Sequence, residues 1–223
     1  MLEVHGVSKL YAPDKGLTSA EFHAVDGDIL ALLGPNGSGK STLMKILCDV
    51  HTQDRGECIL DGVPTTQCKA HIGYLPEVPY SAPSLTGMQF LRYIAGMKGE
   101  NSLDYSIDML AFFEADTYAH ERIGSLSLGQ QKRFALIAAL MGNPRLLILD
   151  EPTNGFDTMT LLKMKELLRI RSAQGKITIL SSHVLDFVQS LASKVVFIKN
   201  GITLPEDDNI ARLEETYINL FMS

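Results

Sequence analysis

The segment GPNGSGKST at residues 34–42 has the residue types and the spacing of a loop that binds phosphate. It matches the pattern G-x-x-x-x-G-K-[ST], in which glycines let the backbone turn until successive N–H groups point at a phosphate. Lys40 adds a positive charge for the outer phosphates of a nucleotide, and the hydroxyl of Ser41 is suited to Mg²⁺. The predicted nucleotide-binding residues are Gly34, Pro35, Asn36, Gly37, Ser38, Gly39, Lys40, Ser41 and Thr42.

Two carboxylates, Asp150 and Glu151, directly follow the apolar run LLIL. A buried strand of this composition would place both at the carboxyl edge of a sheet, where ligands of open α/β folds bind. Asp150 is suited to hold Mg²⁺ through water, and Glu151 to polarise an attacking water as a general base. Taken alone, the pair also fits a solvated acidic turn, but the phosphate-binding loop upstream favours catalysis.

The elements that must position these residues are predicted from the hydrophobic pattern. The apolar run Ile29–Leu33 predicts a buried strand that ends at the phosphate-binding loop, and helical spacing follows the loop. Beyond residue 145, strand-like and helical patterns alternate, which implies a parallel sheet with right-handed crossovers. Further predicted strands lie within 56–63, 71–76, 145–152, 176–182 and 194–201, and predicted helices within 158–174 and 184–194.

Two other regions complete the predicted fold. Alternating apolar and polar residues before Ile29 predict antiparallel strands, and apolar residues at three- and four-residue intervals predict a helical insertion over about 83–141. We therefore predict an α/β protein with a phosphate-loop NTPase core and a mostly parallel sheet. An N-terminal antiparallel β subdomain and a helical subdomain join it in a single domain over residues 1–223.

Composition narrows the classes of partner. The formal net charge of −6 argues against a protein that holds nucleic acid through phosphate neutralisation. The N-terminal residues lack the apolar core of a signal peptide, and no window approaches the ~20 apolar residues that cross a bilayer. Cys48, Cys58 and Cys68 form no CxxC pair, so we expect buried thiols in a reducing cytosol rather than a zinc site or disulfides.

A second candidate anion site is the segment LSLGQQ at residues 126–131. Ser127 stands where a helix is predicted to begin, and exposed N–H groups at a helix start attract anions. Considered alone, Ser127 would simply be the N-cap of this helix.

Four segments in order, GPNGSGKST, LSLGQQ, LLILDEPTNGFD and SSH, resemble the ATP-binding subunit of ATP-binding cassette transporters, over nearly the whole chain. In that family two subunits pair head to tail, and the signature turn of one closes over the γ-phosphate bound by the other. The resemblance implies that Ser127, Gly129 and Gln130 contact the nucleotide in trans. It also implies that Tyr11 stacks on adenine and that His183 contacts the γ-phosphate and helps position water.

The resemblance further places Asp157 in the loop that crosses the dimer interface, and it exposes two departures. The third signature position is commonly glycine but is Leu128 here, which puts the rate of hydrolysis or the symmetry of the two sites in question. The glutamine that touches Mg²⁺ in the family is replaced by Glu77, which adds negative charge beside ATP and Asp150.

These observations predict an ATPase subunit that binds ATP and Mg²⁺ and powers a transporter from the cytoplasmic face of the cell membrane. The predicted catalytic residues are Glu151, His183 and Lys40, and the predicted metal ligands are Ser41, Asp150 and Glu77. Its predicted partners are a second ATP-binding subunit and separate transmembrane permease subunits, with no nucleic acid. The segment GYLPE at 73–77 and its continuation resemble cassettes that serve bacterial exporters.

Two alternatives stay open at this point. A soluble cassette ATPase, such as the one that serves iron–sulfur cluster assembly, is compatible with the length. Relatives that act on chromosomes have a long coiled-coil insertion between the phosphate-binding loop and the signature, and residues 41–126 are too few for it. Relatives that act on ribosomes carry two cassettes in one chain, and 223 residues hold only one. A nucleotide-binding regulator without turnover would draw on Leu128 and Glu77, but the catalytic residue types are all present.

Overall fold

The structure, a computed structural model, describes residues 1–13, 15–79, 82–100, 102–206 and 209–222. The strands are β1 (Leu2–Ala12), β2 (Lys15–Ala24), β3 (Ile29–Leu33), β4 (Arg55–Leu60), β5 (Val63–Pro64), β6 (Ile72–Leu75), β7 (Leu146–Leu149), β8 (Ile177–Ser181), β9 (Lys194–Lys199) and β10 (Ile202–Thr203). The helices are α1 (Lys40–Leu47), α2 (Gly87–Lys98), α3 (Asp104–Phe112), α4 (Leu128–Leu140), α5 (Thr158–Ala173), α6 (Leu185–Gln189) and α7 (Leu213–Phe221).

These strands form one sheet in the order β5-β4-β1-β2-β10-β9-β3-β8-β7-β6. Strands β9, β3, β8, β7 and β6 pair in parallel, whereas β1 pairs antiparallel with β2 and with β4. The predicted α/β class, parallel core and antiparallel N-terminal strands are confirmed. Because the parallel strands end at one edge, the residues that follow β3, β7 and β8 meet there.

The central strands are buried on both faces, which explains their unbroken apolar sequences. Every residue of β3, β7 and β8 is buried, and two apolar clusters cover the two faces of the sheet. The predicted strand Ile29–Leu33 has the same bounds in the structure. The helix after the phosphate-binding loop begins at Lys40, so the loop leads directly into a helix N-terminus.

One predicted helix is shorter than its pattern indicates. The prediction covered 184–194, but α6 ends at Gln189. The hydroxyl of Ser190 donates to the Phe187 carbonyl (2.8 Å), and that of Ser193 donates to the Asp28 carboxylate (3.0 Å). Serine side chains that bond to other groups in this way compete with helix formation.

The helical insertion lies between β6 and β7 and contains α2, α3 and α4. Phe134 of α4 is fully buried, and its ring meets that of Tyr118 edge-on at 5.8 Å between centroids. Near the chain end, Leu213 of α7 is buried, and Tyr217 and Leu220 pack on the same apolar cluster. Among the described residues, no helix combines the length and apolar character needed to cross a bilayer.

A close contact between β6 and α4 generates a stability prediction. A Cβ atom on Gly73 would lie 2.0 Å from the carbonyl oxygen of Ala139, a backbone atom that cannot move aside. We expect Gly73→Ala to lower the free energy of unfolding by about 1–3 kcal/mol, as overpacked cores do. The measurement is urea-induced unfolding.

The matched control is Gly96→Ala, since nothing lies within 4 Å of a Cβ on the exposed Gly96 of α2. This change should raise the free energy of unfolding by about 0.5–1 kcal/mol, the usual gain for alanine in a helix. Equal effects of the two substitutions would contradict the proposed contact.

Candidate active site

The phosphate-binding loop wraps around the ammonium group of Lys40. Its Nζ donates to the carbonyl oxygens of Gly34 (2.7 Å) and Pro35 (3.1 Å). Burial lowers the pKa of Lys40, and the charges of Glu151, Asp150 and Glu77 oppose this shift. The loop is therefore held in a fixed shape around one cation.

The loop also provides space and donors for an anion. Gly37 and Gly39 have φ values of +80° and +112°, which side chains rarely adopt. The hydroxyl of Ser38 is buried and has no hydrogen-bond partner among the described residues. A buried polar atom without a partner is costly, so this loop fits a phosphate group that supplies acceptors.

Asp150 directly follows β7 and is a buried carboxylate between two hydroxyls. Its Oδ1 accepts from Ser181 Oγ (2.8 Å) and from Ser41 Oγ (3.2 Å), and its N–H donates to the Leu75 carbonyl (2.8 Å). These contacts join the ends of three parallel strands. Asp150 and Ser41, both predicted metal ligands, are therefore in direct contact.

Glu151 lies next to His183 at the carboxyl edge of the sheet. The Glu151 Oε1 atom is 3.2 Å from His183 Nε2, and Oε2 accepts from the His183 N–H at 3.2 Å. Burial raises the pKa of the Glu151 carboxyl, and the charge of His183 is the largest effect that opposes the rise. The carboxylate is 5% exposed, so only a small part of it reaches solvent.

A cavity of about 520 Å³ opens over these residues. It brings together the predicted residues Tyr11, Asn36, Gly37, Gly39, Lys40, Ser41, Thr42, Glu77, Glu151 and His183. The Tyr11 ring is 56% exposed and stands beside that of His51, with 6.1 Å between centroids. Lys15 and Gly16 also line the cavity, although the sequence analysis did not single them out.

The predicted signature residues lie elsewhere on the same chain. Ser127, Gly129, Gln130 and Asp157 line a second cavity of about 490 Å³, together with Arg133 and two residues of the loop before α5. None of them lines the first cavity. A single chain therefore presents two separate polar surfaces.

Ser127 is the N-cap of α4, as predicted, and Gln130 completes the cap. Ser127 Oγ accepts from the Gln130 N–H (3.3 Å), and Gln130 Oε1 accepts from the Ser127 N–H (2.9 Å). This capping box satisfies two donors. The N–H groups of Leu128 and Gly129, in the first turn of the helix, have no acceptor within it.

Asp157 caps the next helix and pairs with the signature helix. Its carboxylate accepts from the Thr160 N–H (2.7 Å) and forms an ion pair with Arg133. Hydrogen bonds from Thr160 hold the pKa of Asp157 below its ordinary value. The loop before α5 is thus fastened to α4.

The two departures from the family pattern stand at the surface. Leu128 is 57% exposed, and its side chain lies 3.7 Å from where a Cβ on Gly155 would be. Glu77 is exposed and lines the first cavity, on the side of Lys40.

Sequence reasoning missed Ser181 and Lys132. Ser181 Oγ donates to Asp150 and accepts from the Glu151 N–H (3.0 Å). Lys132 is 1% exposed, and its Nζ donates to the carbonyl oxygens of Glu151 and Asn154, each at 2.8 Å. The position of Ser181 at the end of an apolar strand was a usable signal, whereas Lys132 had none.

The nucleotide-type cavity on a parallel sheet and the capped signature helix define a cassette-type phosphate-loop ATPase. A protein-family model for the ABC transporter matches residues 17–154, more than half of the chain. The chain belongs to the ABC transporter family, as an ATP-binding subunit with ATPase activity.

Curated relatives match almost the full length. The SkfA peptide export ATP-binding protein SkfE of Bacillus subtilis is 31% identical, over 96% of this chain and 92% of that protein. The lantibiotic transport ATP-binding protein SrtF of Streptococcus pyogenes is 30% identical, over 98% and 96%. The Nod factor export ATP-binding protein I of a Rhizobium species is 30% identical, over 96% and 73%.

Solved structures agree with the fold. A structure of the ATP-binding subunit of an ABC transporter is 26% identical, with a TM-score of 0.90 over 99% of both chains. A dimeric bacterial ABC transporter cassette, MJ0796, is 23% identical, with a TM-score of 0.84 over 93% of this chain and 98% of that one. The second likeness supports the shared fold only.

The hydroxyl of Ser181 should contribute measurably to stability. In Ser181→Ala the Asp150 carboxylate loses one donor and the Glu151 N–H loses its acceptor. We expect the free energy of unfolding to fall by about 1–3 kcal/mol, the cost of an unsatisfied buried group. Urea-induced unfolding measures it.

Thr178→Val on the same strand is the control. The Thr178 hydroxyl is buried without a hydrogen-bond partner in the described part of the chain, so its removal should be neutral or stabilising. A loss of stability from Thr178→Val as large as that from Ser181→Ala would show that the Ser181 hydrogen bonds are not the cause.

Proposed function

We propose that the first cavity is the ATP site of an exporter's energy-coupling subunit. The observation that carries the proposal is the meeting of Lys40, the Ser41–Asp150 contact and the Glu151–His183 contact around one cavity. These groups supply a phosphate cradle, metal-binding oxygens and a candidate base. They are the components that phosphoryl transfer to water requires.

Nucleotide binding in this proposal uses the whole loop. Tyr11 stacks on the adenine ring at the mouth of the cavity, where its exposed face is available. The loop residues 34–42 surround the phosphates with backbone N–H groups, and the buried Ser38 hydroxyl gains a partner there. Lys40 then contacts the outer phosphates.

Mg²⁺ would be held jointly by the protein and the nucleotide. Mg²⁺ is usually bound by one or two protein carboxylates together with substrate phosphates and water. Ser41, Asp150 and Glu77 are the protein ligands that we propose. When bound, Mg²⁺ neutralises charge that develops on the phosphates.

Glu151 acts as the general base in this proposal. Burial raises its pKa, which brings the carboxyl nearer to the pH at which a base works well. His183 contacts the same carboxylate and is placed to hold the attacking water together with it.

The separation of the two cavities supports a head-to-tail dimer. Ser127, Gly129 and Gln130 do not line the ATP cavity of their own chain, so a partner chain would bring them onto the nucleotide. The N–H groups of the first turn of α4 and the Ser127 hydroxyl would then bind the γ-phosphate. Asp157 would lie at the interface.

The names of the relatives favour a role in export. The names of three relatives specify peptide export, lantibiotic transport and Nod factor export. We assign this chain the same role, on the cytoplasmic face of a membrane and beside separate permease subunits. The soluble assembly ATPase is not favoured because these relatives are transport proteins.

We also propose that residues 1–223 form a single cassette domain with a helical subdomain at about 83–141.

Glu151→Gln tests the proposed chemistry. The change removes the base but keeps the shape and the contact with His183. We expect ATP turnover to fall by ~10² or more, with ATP affinity retained, and an ATP-dependent dimer to accumulate. Phosphate release and size-exclusion chromatography with ATP measure the two effects. Unchanged turnover would remove Glu151 from this role.

A further inference from the structure

Lys132 is a buried cation in an unusual position. It lies five residues after Ser127 on α4 and is 1% exposed. Its Nζ donates to the carbonyl oxygens of Glu151 and Asn154, and it lies 5.7 Å from the centroid of the Phe156 ring. Among the described residues no hydrogen bond joins Lys132 to a carboxylate, so its direct partners are backbone groups.

Burial of an ammonium group is expensive and needs compensation. Burial lowers the pKa of Lys132, and the charges of Glu77, Glu151 and Asp150 oppose that shift. The ammonium group therefore lies in the field of the three carboxylates of the ATP site. A leucine or methionine would fill the same space without this cost.

The turn that Lys132 holds contains the proposed base. Glu151 has a φ of +47°, a left-handed conformation that is strained for a residue with a side chain. The Asn154 N–H donates to the Glu151 carbonyl (3.2 Å), which closes a turn over residues 151–154. Lys132 bridges the first and last carbonyl oxygens of this turn.

Glu151 is thus held from two sides. Ser181 accepts from its N–H, and Lys132 donates to its C=O. Strained backbone conformations persist only where the surroundings fix them. Without Lys132, the Glu151 carbonyl loses its side-chain donor and keeps only the Asn154 N–H.

We propose that Lys132 is a positioning residue that fixes the Glu151 turn and links it to the signature helix. The inference rests on the proposed role of Glu151 as the general base. Because Lys132 and Ser127 belong to one helix, any displacement of that helix when a partner's nucleotide binds at Ser127 reaches the base of the same chain. The geometry thereby connects the two nucleotide sites of a dimer.

Two substitutions in the full-length protein test the proposal. Lys132→Met keeps most of the length and the apolar character of the stem but removes the N–H donors. Lys132→Gln provides an uncharged amide with two N–H donors. We expect Lys132→Met to lower kcat by ~10-fold to ~100-fold, the effect of a misplaced catalytic group. The KM for ATP and the Kd of a fluorescent ATP analogue should change less than about twofold, because the loop 34–42 is untouched. Lys132→Gln should restore part of kcat.

Lys98→Met is the matched control. Lys98 is also partly buried, and its Nζ donates to the Met141 carbonyl (2.7 Å), but it lines no part of the ATP cavity. Its kcat should equal that of the wild type. If Lys132→Met does not fold in a thermal unfolding assay, Lys132→Gln alone must show a lowered kcat with an unchanged ATP Kd.

Three outcomes would overturn the proposal: wild-type kcat in Lys132→Met, equal losses in the Met and Gln variants, or a parallel loss of kcat and ATP affinity. Failure of the proposed function would be seen separately. In that case the wild type itself would not hydrolyse ATP, or Glu151→Gln would hydrolyse it at the wild-type rate.

Discussion

The buried carboxylate of Asp150 is the interaction on which the rest of the site depends. Two hydroxyls donate hydrogen bonds to it: that of Ser41, in the helix after β3, and that of Ser181, at the end of β8. A buried charge is tolerated only when such donors satisfy it. Its contacts set the relative positions of the phosphate-binding loop, the candidate base Glu151 and His183. The apolar strands on either side exist to bring these three chain segments to one edge.

The sequence predicted the parts of this arrangement that follow from local pattern. The strand Ile29–Leu33 and the N-cap at Ser127 both come from short segments whose composition specifies their structure. The long-range contacts could not be predicted in this way. Lysine in a helix ordinarily faces solvent. Only the tertiary fold shows that the ammonium group of Lys132 reaches Glu151, 19 residues further along the chain.

The nucleotide cavity and the second cavity share no lining residue, and two contacts connect the elements that form them. The signature helix carries Lys132 to the turn after Glu151 and Arg133 to the cap of α5 at Asp157. Lys132 and Arg133, which make these two contacts, are adjacent residues of α4. In our proposal, a motion of α4 would reach both the Glu151 turn and the Asp157 cap. Leu128 is exposed at the start of the same helix.

The most direct test of the central claim, that one ATP site is built from two chains, is the turnover of a mixture of two inactive variants. Lys40→Ala removes the ATP site but keeps the signature; Ser127→Asp keeps the helix cap but places a negative charge against the partner's phosphate. Random pairing of equal amounts gives mixed dimers with one intact site, so we expect about a quarter of wild-type turnover. A mixture no more active than the mean of the two variants would contradict the account, because each chain would then be using its own signature.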